Sequence, residues 1–504
     1  MRKNVLLIHP KSGFEIEKMH LFMPMGLMCI AAPLLELDIE VTLLDQRLEK
    51  DFYWKLKLAL KNNPICVGIT TLIGTQILYA IEVADFVRKN SEIPIVWGGV
   101  HPSLTPDQTI RNDNVDIVVR GEGDITFKEL VDALDKRRSL KNIKGITWKK
   151  GDAIYHNPER EFCNLDELPK VPYHLLDVER YFVATVPGSK RCLNVYSSRG
   201  CLRGCIFCYN TKFNRSIYRK RSIDKVIEEI EWLKETYNID AFAVNDDNFT
   251  IDADRTHYFC RRLIEKNIDL PWKCQGMEMW QAEKIDFDLL QKSGCKRVLL
   301  GLESGSGKVL KFLKRIDTPE VQKRVINKFA KSKLIAHYDV MIGYPVEGDK
   351  ELAETLDLVD YIRKIDPKAY FTSFHIFTVF PGTEFCRIAI EKYGFTPPTT
   401  LEGWQNFRLE EINNQWILPE RRSCYLNLCL ISFFIADHRF KDKVKSKWIL
   451  MFLGIFAGFA KYRWRRRQFD FCPEFKLLGW LMNYRIRRKN KQLREKCLVE
   501  RKIA

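Results

Sequence analysis

Short apolar runs alternate with helical spacings along the first 150 residues. The runs are β-branched, end in turn or polar residues, and begin near Asn4, Glu40, Cys66, Pro94 and Asp116. The stretches between them have helical periodicity over 26–37, 76–89 and 125–136. This alternation predicts an α/β fold in which residues 1–150 form a doubly wound, Rossmann-like parallel sheet with crossover helices.

Residues 151–190 interrupt this rhythm. The stretch 145–158 predicts a hairpin, and the proline-punctuated stretch 166–177 predicts a linker. Six further strand-helix units follow between 191 and 395, beginning with the apolar run at Leu193. Six such units curl a parallel sheet into a partial, TIM-like (β/α)6 barrel, whose active site is expected at the carboxyl ends of the strands.

In a doubly wound sheet, ligands bind beyond the carboxyl ends of the strands. The sequence places there His9, Thr70, Thr71, Gly98, Gly99, His101 and Glu122. Paired glycines after a strand let a ligand approach the backbone closely, although any one pair is equally explained by a simple turn. These residues are therefore the candidate ligand contacts of the N-terminal domain.

Three cysteines, Cys201, Cys205 and Cys208, lie within eight residues directly after the first barrel strand. Most of the other cysteines are scattered singly, which is typical of buried reduced thiols, and an odd thiol would be left over from any disulfide here. Structural zinc usually needs a second pair of ligands, and none is evident nearby, so zinc is the weaker alternative. Three thiolates on a four-iron cluster leave one iron open to a substrate or cofactor.

The Cys-x3-Cys-x2-Cys spacing, with Phe207 before the last cysteine, resembles the cluster motif of the radical S-adenosylmethionine (SAM) superfamily. The resemblance implies a [4Fe-4S] cluster that binds SAM and cleaves it to a 5′-deoxyadenosyl radical, with electrons from an external flavodoxin- or ferredoxin-type donor. It also implies SAM contacts at successive strand ends, namely Phe207, Asp246, Asp247, Glu303, Ser304, Gly343 and Pro345.

Each of these contacts, taken alone, could equally be a strand-end turn or a helix cap. Their order along the chain after the cysteine loop favours a SAM site. Two positions depart from the family pattern: Leu202 replaces a common proline, and Val346 replaces a common glycine. Neither departure involves a cysteine.

The N-terminal region resembles the cobalamin-binding domain that precedes many radical SAM proteins, in 24–36, 40–45, 67–70, 96–106 and 116–130. It lacks the Asp-x-His-x-x-Gly motif that places a histidine below cobalt in some cobalamin proteins. His9 or His101 as a cobalt ligand and an ordinary loop histidine both stay open. The two resemblances imply a cobalamin-dependent radical SAM enzyme that methylates, cyclises or rearranges a hydrophobic or secondary-metabolite substrate at an unactivated carbon, with methyl transfer preferred.

Residues 396–504 form a basic, helix-rich C-terminal region. It contains apolar runs at 425–436 and 448–460, and from Asp437 onward 20 Lys and Arg face 6 Asp and Glu, which accounts for most of the chain's net charge of +17. Thirteen helical residues extend only about 20 Å, less than a bilayer core. The pattern suits either a helix pair packed on the barrel or peripheral contact with an anionic membrane, and nucleic-acid contact is the weaker alternative.

A short apolar run that ends at His9 and Pro10 is unlike a secretory signal, so a cytoplasmic protein is expected, with possible contact at the inner face of the membrane. Two rival functions remain. A transfer-RNA methylthiotransferase would need a second cysteine-bound cluster, but the N-terminal domain offers only Cys29 and Cys66. A non-catalytic cobalamin or cluster sensor would use the tail as its interaction module.

Overall fold

The computed structural model describes residues 3–13, 21–407, 412–436 and 447–479. The strands are β1 (Asn4–His9), β2 (Glu40–Asp45), β3 (Val67–Thr70), β4 (Ile95–Gly98), β5 (Ile117–Val119), β6 (Ile146–Lys150), β7 (Ala153–His156), β8 (Cys192–Val195), β9 (Ser198–Arg199), β10 (Arg219–Lys220), β11 (Ala241–Asn245), β12 (Trp272–Glu278), β13 (Cys295–Glu303), β14 (Ile335–Ile342), β15 (Tyr370–Phe371) and β16 (His375–Ile376).

The helices are α1 (Met25–Leu35), α2 (Phe52–Lys61), α3 (Thr75–Asn90), α4 (Val100–Leu104), α5 (Pro106–Ile110), α6 (Asp124–Asp135), α7 (Asn210–Phe213), α8 (Ile223–Tyr237), α9 (Ala253–Glu265), α10 (Phe287–Lys292), α11 (Gly307–Phe312), α12 (Pro319–Ala330), α13 (Asp349–Ile365), α14 (Glu384–Tyr393), α15 (Pro419–Ala436) and α16 (Lys447–Arg466). Short 3-10 turns lie at Leu165–Glu167, Tyr173–Leu175, Val178–Tyr181, Phe249–Ile251, Met279–Glu283 and Glu402–Asn406.

The N-terminal sheet has the order β2-β1-β3-β4-β5, all parallel, which confirms the doubly wound prediction. The order in which strands are added to the sheet reverses between β1 and β3, since β2 lies on one side of β1 and β3 to β5 lie on the other. Doubly wound sheets open a crevice for ligands at such a point. The hairpin predicted at 145–158 is confirmed as β6 and β7, but it pairs antiparallel with β5, Trp148 opposite Ile117. The first domain therefore extends past residue 150 and includes this hairpin.

The second sheet has the order β8-β11-β12-β13-β14-β15 with parallel pairings, which confirms the partial barrel. The last of the six predicted strands is observed as two two-residue strands, β15 and β16. The reason is a contact from outside the barrel: the Phe374 N–H donates to Ser432 Oγ on α15 at 2.9 Å, which takes the chain out of the ladder.

The C-terminal helices α15 and α16 pack against each other and against the barrel, which is the first of the two arrangements expected for this region. Trp464 Nε1 donates to Asp360 Oδ1 of α13 at 2.7 Å, and Arg467 binds the same carboxylate at 2.7 Å. None of the helices within the described ranges combines the length and hydropathy that a membrane crossing requires. The predicted tail beyond residue 479 lies outside the described residues.

Candidate active site

The cysteine loop lies beyond the carboxyl end of β8 and is bracketed by β9 and β10, which pair with each other. Gly200 begins it at φ +83°, and a Cβ there would collide with the carbonyl oxygen of Ile217. The Gly200 N–H donates to Asp247 Oδ2 at 2.8 Å. Within the loop, the Cys208 N–H donates to the Cys205 carbonyl at 3.1 Å. These contacts hold the three cysteines in one turn at the barrel mouth, as the sequence predicts.

Hydrogen-bond donors are directed at all three sulfurs, and the donor to Cys208 is the backbone N–H of Asn210. The Arg203 N–H lies 3.4 Å from Cys201 Sγ, and Asn248 Nδ2 lies 3.6 Å from the same atom. Arg315 Nη1 lies 3.9 Å from Cys205 Sγ. Donors placed in this way stabilise thiolates and tune the potential of an iron–sulfur cluster.

Burial raises the pKa of the three thiols, that of Cys205 to about 11 and that of Cys208 to about 12. Without a metal the thiols are therefore protonated, and metal binding deprotonates such groups. Among the described residues, no group of three His, Cys, Asp or Glu side chains is arranged to hold a single metal ion. The donor set, three sulfurs with amide and guanidinium donors, fits a cluster.

Behind the loop, Arg315 forms a buried charge network that the sequence does not reveal. Its guanidinium binds Asp317 at 2.8 Å and the Gly301 carbonyl at 3.0 Å, and it lies 3.8 Å from Glu303 and 3.9 Å from Glu278. Burial raises the pKa of Glu303 to about 7. Arg203 Nε lies 3.3 Å from Glu278 on the same wall, so two arginines serve three acidic side chains, and Arg315 also contacts the Cys205 sulfur.

Asp246 and Asp247, both predicted SAM contacts, lie in different surroundings. The carboxylate of Asp246 is buried and accepts hydrogen bonds from the Ser197 N–H at 2.7 Å, Ser197 Oγ at 2.5 Å and Ser198 Oγ at 2.6 Å. Its oxygens therefore fix the strand that leads into the cysteine loop. Asp247 is exposed and accepts a hydrogen bond from the loop, from the Gly200 N–H. The geometry favours Asp247 over Asp246 as a partner for an ammonium group.

Glu303 and Ser304 end β13 but turn to different sides. Glu303 has φ +61°, an unusual conformation for a non-glycine residue, and belongs to the Arg315 network. Ser304 is fully buried, and its hydroxyl bonds Thr355 Oγ1 at 2.8 Å and accepts the Ser306 N–H at 3.1 Å. Ser304, an expected SAM contact, thus ties the strand end to α13 through its hydroxyl.

Phe207 and the 343–345 turn, both expected to contact SAM, are brought together by aromatic packing. The Phe207 ring lies 5.9 Å from Phe377, edge to face, and Tyr344 lies 4.5 Å from the same ring. Gly343 has φ +84°, which a glycine adopts without strain, and the half-buried Pro345 follows it. The structure therefore places these residues on one apolar wall beside the cysteine loop.

The predicted contacts of the N-terminal domain also gather at one edge. Gly99 has φ +98°, and a Cβ there would lie 2.7 Å from the Thr71 carbonyl oxygen and 2.8 Å from Thr70 Oγ1. The Thr71 N–H donates to the Gly98 carbonyl at 2.9 Å. Thr71 Oγ1 and His101 Nδ1 are buried and have no hydrogen-bond partner among the described residues. Buried polar atoms without partners are available to hydrogen bond a polar cofactor, and the close packing at Gly99 lets such a group approach the backbone.

Of the two candidate histidines, His101 is buried and His9 is half-buried, in contrast to the solvated-loop alternative. Burial lowers the pKa of His9 to about 4 and that of His101 to about 3. His9 Nδ1 lies 3.9 Å from Asp45 Oδ1, whereas His101 Nε2 bonds Thr105 Oγ1 at 3.1 Å and packs edge-on against Trp404. Both imidazoles are neutral at pH 7, the form that a metal ligand requires.

Glu122 joins the two domains, a role the sequence does not indicate. Its carboxylate binds Arg219 through two hydrogen bonds of 2.5 and 2.8 Å, and Arg199 Nη1 lies 3.5 Å away. Asp124 binds Arg199 at 2.9 Å in parallel. Glu122, an expected cofactor contact, thus also forms an interdomain ion pair that flanks the cysteine loop.

A cavity of about 330 Å³ opens where these elements meet. The N-terminal domain contributes Ser103 and Gly121, the segment after Cys208 contributes Lys212 and Phe213, and Gly382 follows β16. The cavity therefore lies between the carboxyl edges of the two sheets and beside the cysteine loop.

The barrel interior carries polar side chains that the sequence analysis missed. Along β14, half-buried Asp339 alternates with fully buried core residues, and Thr372 Oγ1 donates to its carboxylate. Burial raises the pKa of Asp339 to about 6 and, together with the positive charge of Arg297, lowers that of Lys273 to about 8. Lys273 Nζ donates to the neutral Gln275 Oε1 at 3.3 Å. These groups give the inside of the barrel a titratable polar lining.

Each of the two sheets lies largely within a segment that matches a known protein family. The family model of the radical SAM superfamily matches residues 195–359, and that of the B12 binding domain matches residues 20–131. These ranges contain the cysteine loop and most of the predicted ligand edge of the N-terminal sheet.

Relatives match over both domains. The chain is 32% identical to an uncharacterised methyltransferase of Pyrococcus horikoshii, over 73% of this chain and 78% of the relative. It is 25% identical to the anaerobic magnesium-protoporphyrin IX monomethyl ester cyclase of a Synechocystis strain, over 86% and 93% of the two chains.

A solved structure of TsrM, a radical SAM methyltransferase of Kitasatospora setae with cobalamin and a [4Fe-4S] cluster bound, superposes with a TM-score of 0.64. It covers 79% of this chain and 80% of TsrM at 17% identity, so the similarity is one of fold. Together with the two family models and the Pyrococcus relative, it accounts for both sheets and their order along the chain. This chain belongs to the cobalamin-dependent radical SAM enzymes, the family of methyltransferases and cyclases that join a B12-binding domain to a radical SAM barrel.

Proposed function

We propose that this enzyme methylates an unactivated carbon of a hydrophobic small molecule. When bound, the cluster and SAM supply a 5′-deoxyadenosyl radical, and cobalamin supplies the methyl group. The relative with the highest identity quoted above is named a methyltransferase, which supports methylation over cyclisation. The observation that carries the proposal is the cysteine loop with its sulfur-directed donors at the barrel mouth, joined by Glu122 and Arg219 to the ligand edge of the other domain.

On the barrel side, Cys201, Cys205 and Cys208 would hold the cluster. Asp247 would accept hydrogen bonds from the ammonium of SAM, since a carboxylate and an ammonium form short charge-assisted bonds. Arg315 positions Glu303 and keeps a cation beside Cys205. The aromatic wall that includes Phe207 and Tyr344 would exclude water from the adenine side.

On the N-terminal side, the backbone around Gly98 and Gly99 and the hydroxyls of Thr70 and Thr71 would receive polar groups of the cobalamin. The absence of a Cβ at Gly99 permits this close packing. His101 is a candidate lower ligand, because its Nδ1 is buried and has no hydrogen-bond partner in the described part of the chain.

Anaerobic reconstitution of the full chain tests the proposal. The expected result is a [4Fe-4S] electron spin resonance signal, a bound corrin spectrum and release of 5′-deoxyadenosine from SAM. Cys201→Ala should abolish the cluster signal and lower 5′-deoxyadenosine release by at least about 10³-fold. Cys163→Ala, a half-buried cysteine that lines the cavity, is the matched control and should retain both. A cluster that survives in Cys201→Ala, or is equally lost in the control, contradicts the assignment.

The rival functions predict different outcomes of the same experiment. A transfer-RNA methylthiotransferase would carry a second cluster, but Cys29 and Cys66 of the N-terminal domain are buried and scattered. A sensor would bind SAM or corrin without releasing 5′-deoxyadenosine. A methylated product identifies methyl transfer, whereas a product with a new ring and no added methyl group identifies cyclisation.

The proposal includes an external electron donor of the flavodoxin or ferredoxin type. The surface of the cysteine loop is open to such a protein, because Leu202 is 61% exposed and Gly204 is also exposed. Chemical reduction with dithionite should replace the donor in the assay. If dithionite supports no SAM cleavage by a cluster-loaded enzyme, the donor is not the missing component.

The proposal also includes a hydrophobic substrate met at the surface of a membrane. The basic C-terminal region, with two apolar helices, supports this location. Its test is a comparison of product formation with substrate presented in vesicles and in detergent. An enzyme that turns over an apolar substrate only when it is free in water would contradict this part of the proposal.

A further inference from the structure

Helix α16 is fixed to the barrel by one face only. Phe456, Ala457, Ala460 and Trp464 of this helix are buried. The Trp464 indole donates to Asp360 of α13 at 2.7 Å, which fixes the rotation of the helix about its axis. The opposite face is therefore held outward.

That outward face is apolar. Trp448 is 77% exposed, and Met451, Ile455 and Tyr462 are each more than half exposed, with Phe459 close to them at 44%. Successive spacings of three or four residues place these side chains in one stripe along the helix. A helix packed on a soluble protein normally carries polar residues on its outward face, so this stripe indicates a further partner.

Positive charge borders the stripe. Lys461, Arg465 and Arg466 are exposed in the last two turns of α16. From Asp437 onward the chain has 20 Lys and Arg against 6 Asp and Glu. A partner must therefore offer both an apolar interior and a negatively charged surface.

We infer that α16 lies in the headgroup region of an anionic membrane, with the stripe from Trp448 to Tyr462 inserted and the arginines on lipid phosphates. The stripe extends about 21 Å along the helix, too short to cross a bilayer core but suited to lie in its plane. A second copy of the chain is the weaker occupant, because a symmetric contact would bring two strongly basic regions together. The inference rests on the proposed function only for its purpose, which is access to a hydrophobic substrate.

Vesicle binding by the full-length protein tests the inference. Protein is centrifuged with vesicles of phosphatidylglycerol and phosphatidylcholine, and with vesicles of phosphatidylcholine alone, at low and high salt. The protein should bind the anionic vesicles, and the bound fraction should fall with added salt. Trp448→Ser with Ile455→Ser should weaken binding about tenfold or more, because two inserted side chains are lost.

The matched control is Trp54→Ser with Leu58→Ser, an exposed tryptophan and an exposed leucine on α2 of the N-terminal domain. This control should bind vesicles like the unaltered chain, and both variants should keep their thermal midpoint. Trp448→Phe should retain binding but reduce any blue shift of fluorescence that vesicles cause.

Three outcomes overturn the inference: no binding to anionic vesicles, equal binding by the stripe variant and the unaltered chain, or a dimer in solution that the stripe variant dissociates. Release of 5′-deoxyadenosine from SAM in detergent is measured in parallel and should be unchanged in the stripe variant. Loss of vesicle binding with intact SAM cleavage therefore separates this inference from the proposed function.

Discussion

At the barrel edge of the candidate active site, charged side chains bind one another: Arg315 serves Asp317, Glu303 and Glu278, and it also contacts Cys205. Around Gly99, at the edge of the N-terminal sheet, the main feature is close packing of backbone atoms and not pairing of charged side chains. Gly99 packs against the Thr70–Thr71 strand end, and polar atoms there lack partners within the described residues.

This difference matches what each side has to hold. A cluster on thiolates and a zwitterionic cofactor demand fixed charges at fixed positions, and the barrel supplies them. A large corrin is held mainly by shape and by many hydrogen bonds to backbone and hydroxyl groups, and the N-terminal edge supplies those. Electrostatic perturbations should therefore damage the barrel side, and steric ones the N-terminal side.

The largest effect is expected at Arg315. Arg315→Met leaves buried carboxylates without their cation, so the free energy of unfolding should fall by about 3–5 kcal/mol. Arg315→Lys keeps the charge and should lose less. The measurement is urea unfolding of the cofactor-free chain. Arg324→Met removes an exposed ion pair with Glu283 and should change little. Equal losses at the two arginines would remove the distinction drawn for the barrel edge.

Asp339 should make stability depend on pH. Because the pKa of Asp339 is raised to about 6 in the folded chain, the protein gains stability from the bound proton at low pH and loses it as the pH rises through 6. Asp339→Asn should remove that loss. The free energy of unfolding of the variant, relative to that of the unaltered chain, should therefore rise by about 2 kcal/mol between pH 4 and pH 7. Unfolding curves across this range are the measurement. The exposed turn residue Asp38 gives the control Asp38→Asn, which should leave the pH profile unchanged.

A steric change should affect the N-terminal edge and spare the barrel. Gly99→Ala places a Cβ 2.7 Å from the Thr71 carbonyl at φ +98°, so corrin affinity should fall about tenfold or more while the cluster stays intact. Visible absorption of bound corrin and the iron content are the two readouts. Gly188→Ala shares the positive φ but has open space around it and should leave corrin affinity unchanged. Loss of both cofactors would show that the two edges are not independent.

The smallest effect is expected at the contact between the domains. A double-mutant cycle of Glu122→Gln and Arg219→Gln should give a coupling energy of about 1 kcal/mol, since the pair is half-shielded from water and Arg199 can partly replace Arg219. The coupling energy is obtained from thermal unfolding of the unaltered chain, the two single variants and the double variant. A coupling near zero would mean that the pair does not help to hold the two edges together.

Local periodicity was sufficient to predict most elements of both sheets. The predicted helices at 76–89 and 125–136 are observed as Thr75–Asn90 and Asp124–Asp135. The prediction failed where the structure depends on a contact between residues far apart in sequence. The Phe374 N–H donates to Ser432 Oγ and not to a neighbouring strand, so the last barrel strand is divided into two short strands. No local pattern reports a partner 58 residues away.

The same limit applies to the site. Spacing alone was sufficient to single out the three cysteines, because their chemistry requires them close in sequence. Spacing could not separate Asp246, which fixes a strand, from Asp247, which is exposed, nor reveal that Glu122 pairs with Arg219. Arg315 gave no signal, because a buried arginine is recognised only by the carboxylates that the fold brings to it.

The clasp formed by Asp124 with Arg199 and by Glu122 with Arg219 has a mechanical consequence. Arg199 precedes the cysteine loop and Arg219 follows it. The turn of the N-terminal domain that carries Glu122 and Asp124 therefore binds both ends of the loop. A rotation of one domain against the other would therefore also displace both ends of the cysteine loop, so the position of the three thiols depends on the angle between the domains.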